Sequence, residues 1–81
     1  MDMRKIVGGN FARLRRERGF TQEQVAAKSG FTQQYLSGLE RGQRNPTVVT
    51  VHELAQAIGV SHLELMALPP EQGGRQRRSR S

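Results

Sequence analysis

The sequence predicts an all-α fold, a compact bundle of five short helices, on three observations. Apolar residues recur at helical spacing and no segment reads as a strand. Capping residues stand ahead of the apolar runs and glycines close them. The connections left between are short, as in a compact bundle. With 81 residues, 35% of them hydrophobic, the chain can fill one small core and no second one.

Val7, Phe11 and Leu14 recur at i, i+4 and i+7, predicting a first helix from about Arg4 to Arg18 that Gly19 ends in the left-handed conformation. Gly8 and Gly9 each cost about 1 kcal/mol of helix propensity against Ala, so this helix is expected to fray or start late. Thr21 to Gln24 is a capping box, with Thr21 as N-cap and Gln24 at N3. The second helix that it opens buries Val25 and Ala26 and stops at Gly30. Thr32 caps a third helix, which turns Leu36 and Leu39 inward and ends at Gly42. Residues 42–46 form an exposed turn. Thr47 caps a fourth helix with Val48, Val51, Leu54, Ala55 and Ile58 on one face, closed by Gly59. Ser61 to Glu64 is a second capping box, opening a short last helix that Pro69 and Pro70 cannot continue. Residues 1–68 are the expected domain, and 69–81 a disordered basic tail.

Composition removes most chemistry. With no cysteine there is no disulfide, thiolate metal site or thiol nucleophile. Two histidines and one aspartate do not assemble a metal centre or a catalytic triad, so neither cofactor nor enzyme activity is expected. His52 and His62, ten apart on different helices, read as solvated surface. No apolar run approaches the roughly 20 residues of a membrane span, and the first residues lack the apolar stretch of a signal peptide. A soluble, cytoplasmic binding module is what this leaves.

The net charge of +6 is unevenly spread. Residues 1–18 carry +4, residues 19–45 carry +1, and residues 46–68, with only Glu53 and Glu64, carry −2; the tail adds +3. A surface polarised in this way steers toward polyanions, although Arg-rich solvated helix faces have the same composition.

The second and third helices with the turn between them carry the functional reading. Helices that cross at roughly 90–120° need a small residue where they touch, which is Ala26, and a positive φ in the turn, which is Gly30. Val25, Leu36 and Leu39 dock the pair on the rest of the bundle. The outward face of the third helix then holds Thr32, Gln33, Gln34, Ser37 and Gly38. Uncharged hydrogen-bonding side chains are what read base edges: Gln bridges adenine N6 and N7, and Ser serves either partner.

At these residues the chain resembles the lambda-repressor-like helix-turn-helix family, the Cro/C1 or xenobiotic-response-element type. The resemblance runs from about Val7 to Leu65. It passes through Leu14-Arg15, Gly19-Phe20-Thr21-Gln22, Gly30, Tyr35-Leu36-Ser37, Leu39-Glu40-Arg41-Gly42, Arg44-Asn45-Pro46, Leu54-Ala55 and Ile58-Gly59-Val60-Ser61. It implies a five-helix DNA-binding domain whose third helix lies in the major groove. It further implies that Gln22 bonds a phosphate and braces that helix, and that Thr32, Gln33, Gln34, Ser37 and Gly38 face the bases. Arg41, Gln43, Arg44 and Asn45 would follow the phosphate backbone. Arg15 and Glu40 would pair as scaffold.

Other features keep two readings each. Gly38 is either a tolerated helix glycine or a point of close approach to the groove, and it leaves fewer direct base contacts than a longer side chain. Tyr35 packs at the core edge or gives its hydroxyl to a phosphate. Phe31 plugs the core from the turn. Leu63, Leu65, Met66 and Leu68 either all pack inward or form a two-fold dimer through the last helix, which implies a near-palindromic operator of paired half-sites. The expected function is sequence-specific binding of double-stranded DNA by a transcriptional regulator, with repression favoured over activation. The alternative is an antitoxin-like adaptor whose last helix and tail hold a protein partner. Phage repressor, controller protein and antitoxin remain open as subtypes.

Overall fold

The computed structural model describes residues 1–68; the Arg-rich tail, and the phosphate or protein partner expected for it, lie outside the described residues. Five helices follow in order: α1 Met3–Glu17, α2 Gln22–Ser29, α3 Gln33–Glu40, α4 Val48–Ile58 and α5 His62–Met66. No strand occurs among the described residues.

Each helix begins where a side chain can take an orphan backbone N–H. Thr21 and Gln24 form the reciprocal capping box of α2, and Ser61 and Glu64 that of α5. Thr32 and Thr47 cap α3 and α4. α2 and α4 end on Gly30 and Gly59 at positive φ, where a Cβ would be strained.

α1 does not start late. Asp2 caps it, accepting from the Arg4 backbone, and the helix is regular from Met3. Gly8 is the reason that a poor helix former stands inside it: α3 lies so close that a Cβ there would run into the Leu39 carbonyl. Gly9 faces open space.

Phe11, Val25, Leu36, Leu39, Leu54 and Leu65 are completely buried and form the centre of a core shared by all five helices. Ala26 is half-buried at its edge. Val48, assigned by spacing to the inner face of α4, is instead 76% exposed. It is the first residue of that helix and overhangs the core, which begins one turn later at Val51.

Two polar ties hold the ends. The buried Asn10 amide donates to the carbonyls of Leu65 and Ala67, both at 2.8 Å, pinning the chain after α5 to α1. The Arg18 guanidinium donates to the carbonyls of Ile58 and Gly59, taking orphan acceptors at the end of α4.

Candidate nucleic-acid interface

The orientation of α3 is set by one carboxylate. Glu40 accepts from Arg15 through Nε at 2.7 Å and Nη2 at 3.1 Å, a two-pronged ion pair whose side chains are about nine-tenths buried. It also accepts from Gln22 Nε2 at 3.0 Å. Arg15 Nη1 donates to the Phe20 carbonyl at 2.7 Å, so each of the three guanidinium nitrogens has an acceptor. The end of α3, the start of α2, the loop before it and α1 thus meet at a single polar centre. Charge-assisted bonds of this geometry fix direction as well as distance. Gln22 uses one amide hydrogen on Glu40, and its second is left for an external acceptor.

With Leu36 and Leu39 fully buried, the opposite face of α3 is the exposed one. Thr32, Gln33 and Gln34 are all exposed at its N-terminal end. Thr32 Oγ1 caps the helix by accepting from the Tyr35 N–H at 3.0 Å, so its hydroxyl hydrogen alone remains to be given outward. Neither glutamine amide has a protein partner among the described residues. Ser37 accepts from Arg41 Nη1 at 2.9 Å, which brings the Arg41 guanidinium back along α3 rather than out along the loop.

Gly38 does not lie on the outward face where its spacing places it. It is buried, not presented outward: the Arg44 side chain lies across it, and a Cβ would stand 2.9 Å from Arg44 Nε. Without a side chain the position is a notch, and the neighbouring loop fills it. Arg44 is carried on to within 5.5 Å of the Tyr35 ring centroid, and Tyr35 stacks on Phe31 at 5.2 Å. The two aromatics and the guanidinium form a continuous stack beside α3. Burial pushes the Tyr35 phenol above its ordinary range, against a smaller opposing pull from Arg44, so the hydroxyl is a donor at neutral pH. Phe31 itself is half-buried against the core.

Arg41, Gln43, Arg44 and Asn45 are exposed along the segment after α3. That segment folds tightly, the Gln43 N–H returning to the Gly38 carbonyl at 2.9 Å. It meets the start of α1: a Cβ on Gly42 would collide with Lys5, and Arg4 shares a groove with Asn45 and Pro46. Arg4 and Lys5 are therefore two further cations at this edge. They lie some forty residues away in sequence, and only the packing of α1 on the loop reveals them.

A second exposed feature lies beside this edge. Val48, Val49, Leu63, Met66 and Leu68 are exposed, and only Leu65 of the C-terminal apolar group is buried. Inward packing of all four residues of that group is thus ruled out. The apolar face also includes the first turn of α4, which extends it beyond the last helix.

Four similarities bear on this geometry. The family described as Helix-turn-helix (HTH_3) matches residues 11–65. The HTH-type transcriptional regulator y4dJ of Sinorhizobium fredii is 76% identical over 66 residues, covering 82% of this chain and 86% of that protein. The hypothetical transcription factor NHTF from Neisseria superposes with a TM-score of 0.78 at 29% identity, over 84% of this chain and 78% of that one. The restriction–modification controller protein C.Esp1396I, solved as a tetramer with its natural 35 base-pair operator, superposes with a TM-score of 0.73 at 31% identity, over 80% and 86% of the two chains.

Proposed function

The chain belongs to the Cro/C1-type helix-turn-helix family of DNA-binding transcriptional regulators, not to an enzyme family, and from that premise we propose how it selects its site. α3 enters the major groove, and Gln33 and Gln34 read base edges, with Thr32 and Ser37 beside them. Gln22, Tyr35, Gln43, Arg44 and Asn45 bond phosphates on either side, joined by Lys5 and Arg4. Arg41, held on Ser37 along α3, belongs to the same phosphate set. Arg15, Glu40, Ala26 and Gly30 are scaffold.

The observation that carries this reading is the pairing of two exposed, unengaged glutamine amides with a helix whose direction is locked by Glu40. A flexible helix would lose its reading face to rotation; this one cannot turn without breaking the three hydrogen bonds to Glu40. Occupancy of the operator then represses by excluding polymerase.

A single α3 contacts too few base pairs for tight binding at physiological salt. The exposed apolar face of α4 and α5 supports pairing of two copies, with two half-sites roughly 34–36 Å apart on a near-palindromic operator. The solved relative that holds its operator as a tetramer favours the same arrangement.

The test is titration of promoter DNA against a scrambled duplex at several salt concentrations. A Gln33→Ala, Gln34→Ala variant should lose selectivity by about 1–3 kcal/mol per bidentate contact while keeping the salt slope. Loss of slope with selectivity intact would move these residues to the phosphate set.

A further inference from the structure

His52 and His62 are ten residues apart in sequence, and spacing alone reads them as solvated surface. The fold brings them together. Their Nδ1 atoms are 3.3 Å apart, the ring planes 62° from each other, and both side chains are exposed. The contact is a hydrogen bond between the two Nδ1 atoms, and among the described residues neither ring is bonded to a carboxylate or a backbone group.

That separation has a metal's dimension. Two imidazole nitrogens at about 2.0–2.1 Å from a tetrahedral zinc ion stand about 3.3–3.4 Å from each other, whereas a square-planar ion brings them to about 2.9 Å. The backbones that carry the rings are fixed independently. His52 lies between Val51 and Leu54, both buried, in the middle of α4. His62 is the first residue of α5, within the Ser61–Glu64 capping box that anchors that helix. Chelation therefore requires no rearrangement of the main chain, only deprotonated nitrogens facing a shared ion.

We propose that His52 and His62 together ligate a tetrahedral transition-metal ion of the zinc type through their Nδ1 atoms. Water fills the two remaining positions, as the exposure of both rings allows. The ion joins α4 to α5 at the rim of the groove lined by Val48, Val49, Val51 and Met66. Because the chain has no cysteine and these are its two histidines, a zinc site of nitrogen ligands cannot be built elsewhere from imidazole.

The experiment is a zinc titration of the full chain by calorimetry, with the imidazole nitrogens followed by NMR and the thermal midpoint followed with and without the ion. The expected result is one ion per chain, a shift of both Nδ1 resonances and a raised midpoint. His52→Ala and His62→Ala should each weaken binding by about a hundredfold, because the second ligand then no longer binds intramolecularly. Both positions are exposed, so the variants keep the fold, and circular dichroism verifies this. Absence of zinc binding overturns the proposal. So does single-variant affinity within about threefold of the parent, since that is one-histidine binding and not chelation.

Discussion

Removing the Glu40 carboxylate strands two donors at once, the buried Arg15 guanidinium and the Gln22 amide. Breaking a buried pair from one side costs about 3–5 kcal/mol, because the remaining charge is left without a partner. Glu40→Ala should therefore lower the unfolding free energy by that much, read from the fall in denaturant midpoint at unchanged m. A paired Arg15→Met, Glu40→Leu variant should recover most of the loss while loosening the direction of α3, and would separate stability from selectivity. Gly38 gives a gentler contrast. Its Cβ would displace only the flexible end of Arg44, so Gly38→Ala should keep stability within about 1 kcal/mol, helped by better helix propensity. It should weaken DNA of every sequence alike, since what moves is the cation proposed to bond phosphate. Sequence left two readings open for Gly38 for a definite reason: a glycine in a helix leaves no sign of which neighbour occupies the space above it.

Among the elements, α1 joins a local weakness to a tertiary requirement. Gly8→Ala should destabilise by about 1–3 kcal/mol through collision with the Leu39 carbonyl, whereas Gly9→Ala, facing open space, should stabilise by about 0.5–1 kcal/mol. Equal effects at the two positions would contradict the close approach of α1 and α3. The start of α1 also depends on acid. The Arg4 side chain bonded to the Asp2 carboxylate lowers its pKa below the ordinary value. A lowered folded-state value means that the cap stabilises above the unfolded carboxylate's pKa and is lost as pH falls through the folded one. Protection factors of the first-turn amides, which remove the intrinsic pH dependence of exchange, should fall only in acid. The cap positions of α2 to α5 were legible in sequence because capping is local chemistry: a Thr or Ser, an N3 partner, a closing glycine. The fate of Val48 was not. Its spacing to Val51 is that of a core stripe, and only the extent of the bundle leaves it outside.

For the whole molecule, the fold was legible because a five-helix pattern with a buried stripe on each helix has few compact solutions, and its motifs span most of the domain. Long-range meetings were not legible. Lys5 against Gly42, Asn10 on the end of α5, Arg18 on the end of α4, and His52 on His62 have no periodicity to announce them. The same holds for the apolar face, which sequence assigned to the last helix alone and which in fact includes Val48 and Val49. A Val49→Asp, Leu63→Asp variant removes exposed apolar groups without touching the core, so it should fold, sediment as a monomer, and lose affinity for paired half-sites but not for one.

The most direct measurement is the affinity of the full chain for its promoter and for a scrambled duplex, taken across a salt series, with the two-glutamine variant in parallel. Selective binding by the parent at every salt, reduced in the variant toward the scrambled value with the slope unchanged, is the expected result. Equal affinity of the parent for both duplexes would contradict readout by the exposed face of α3.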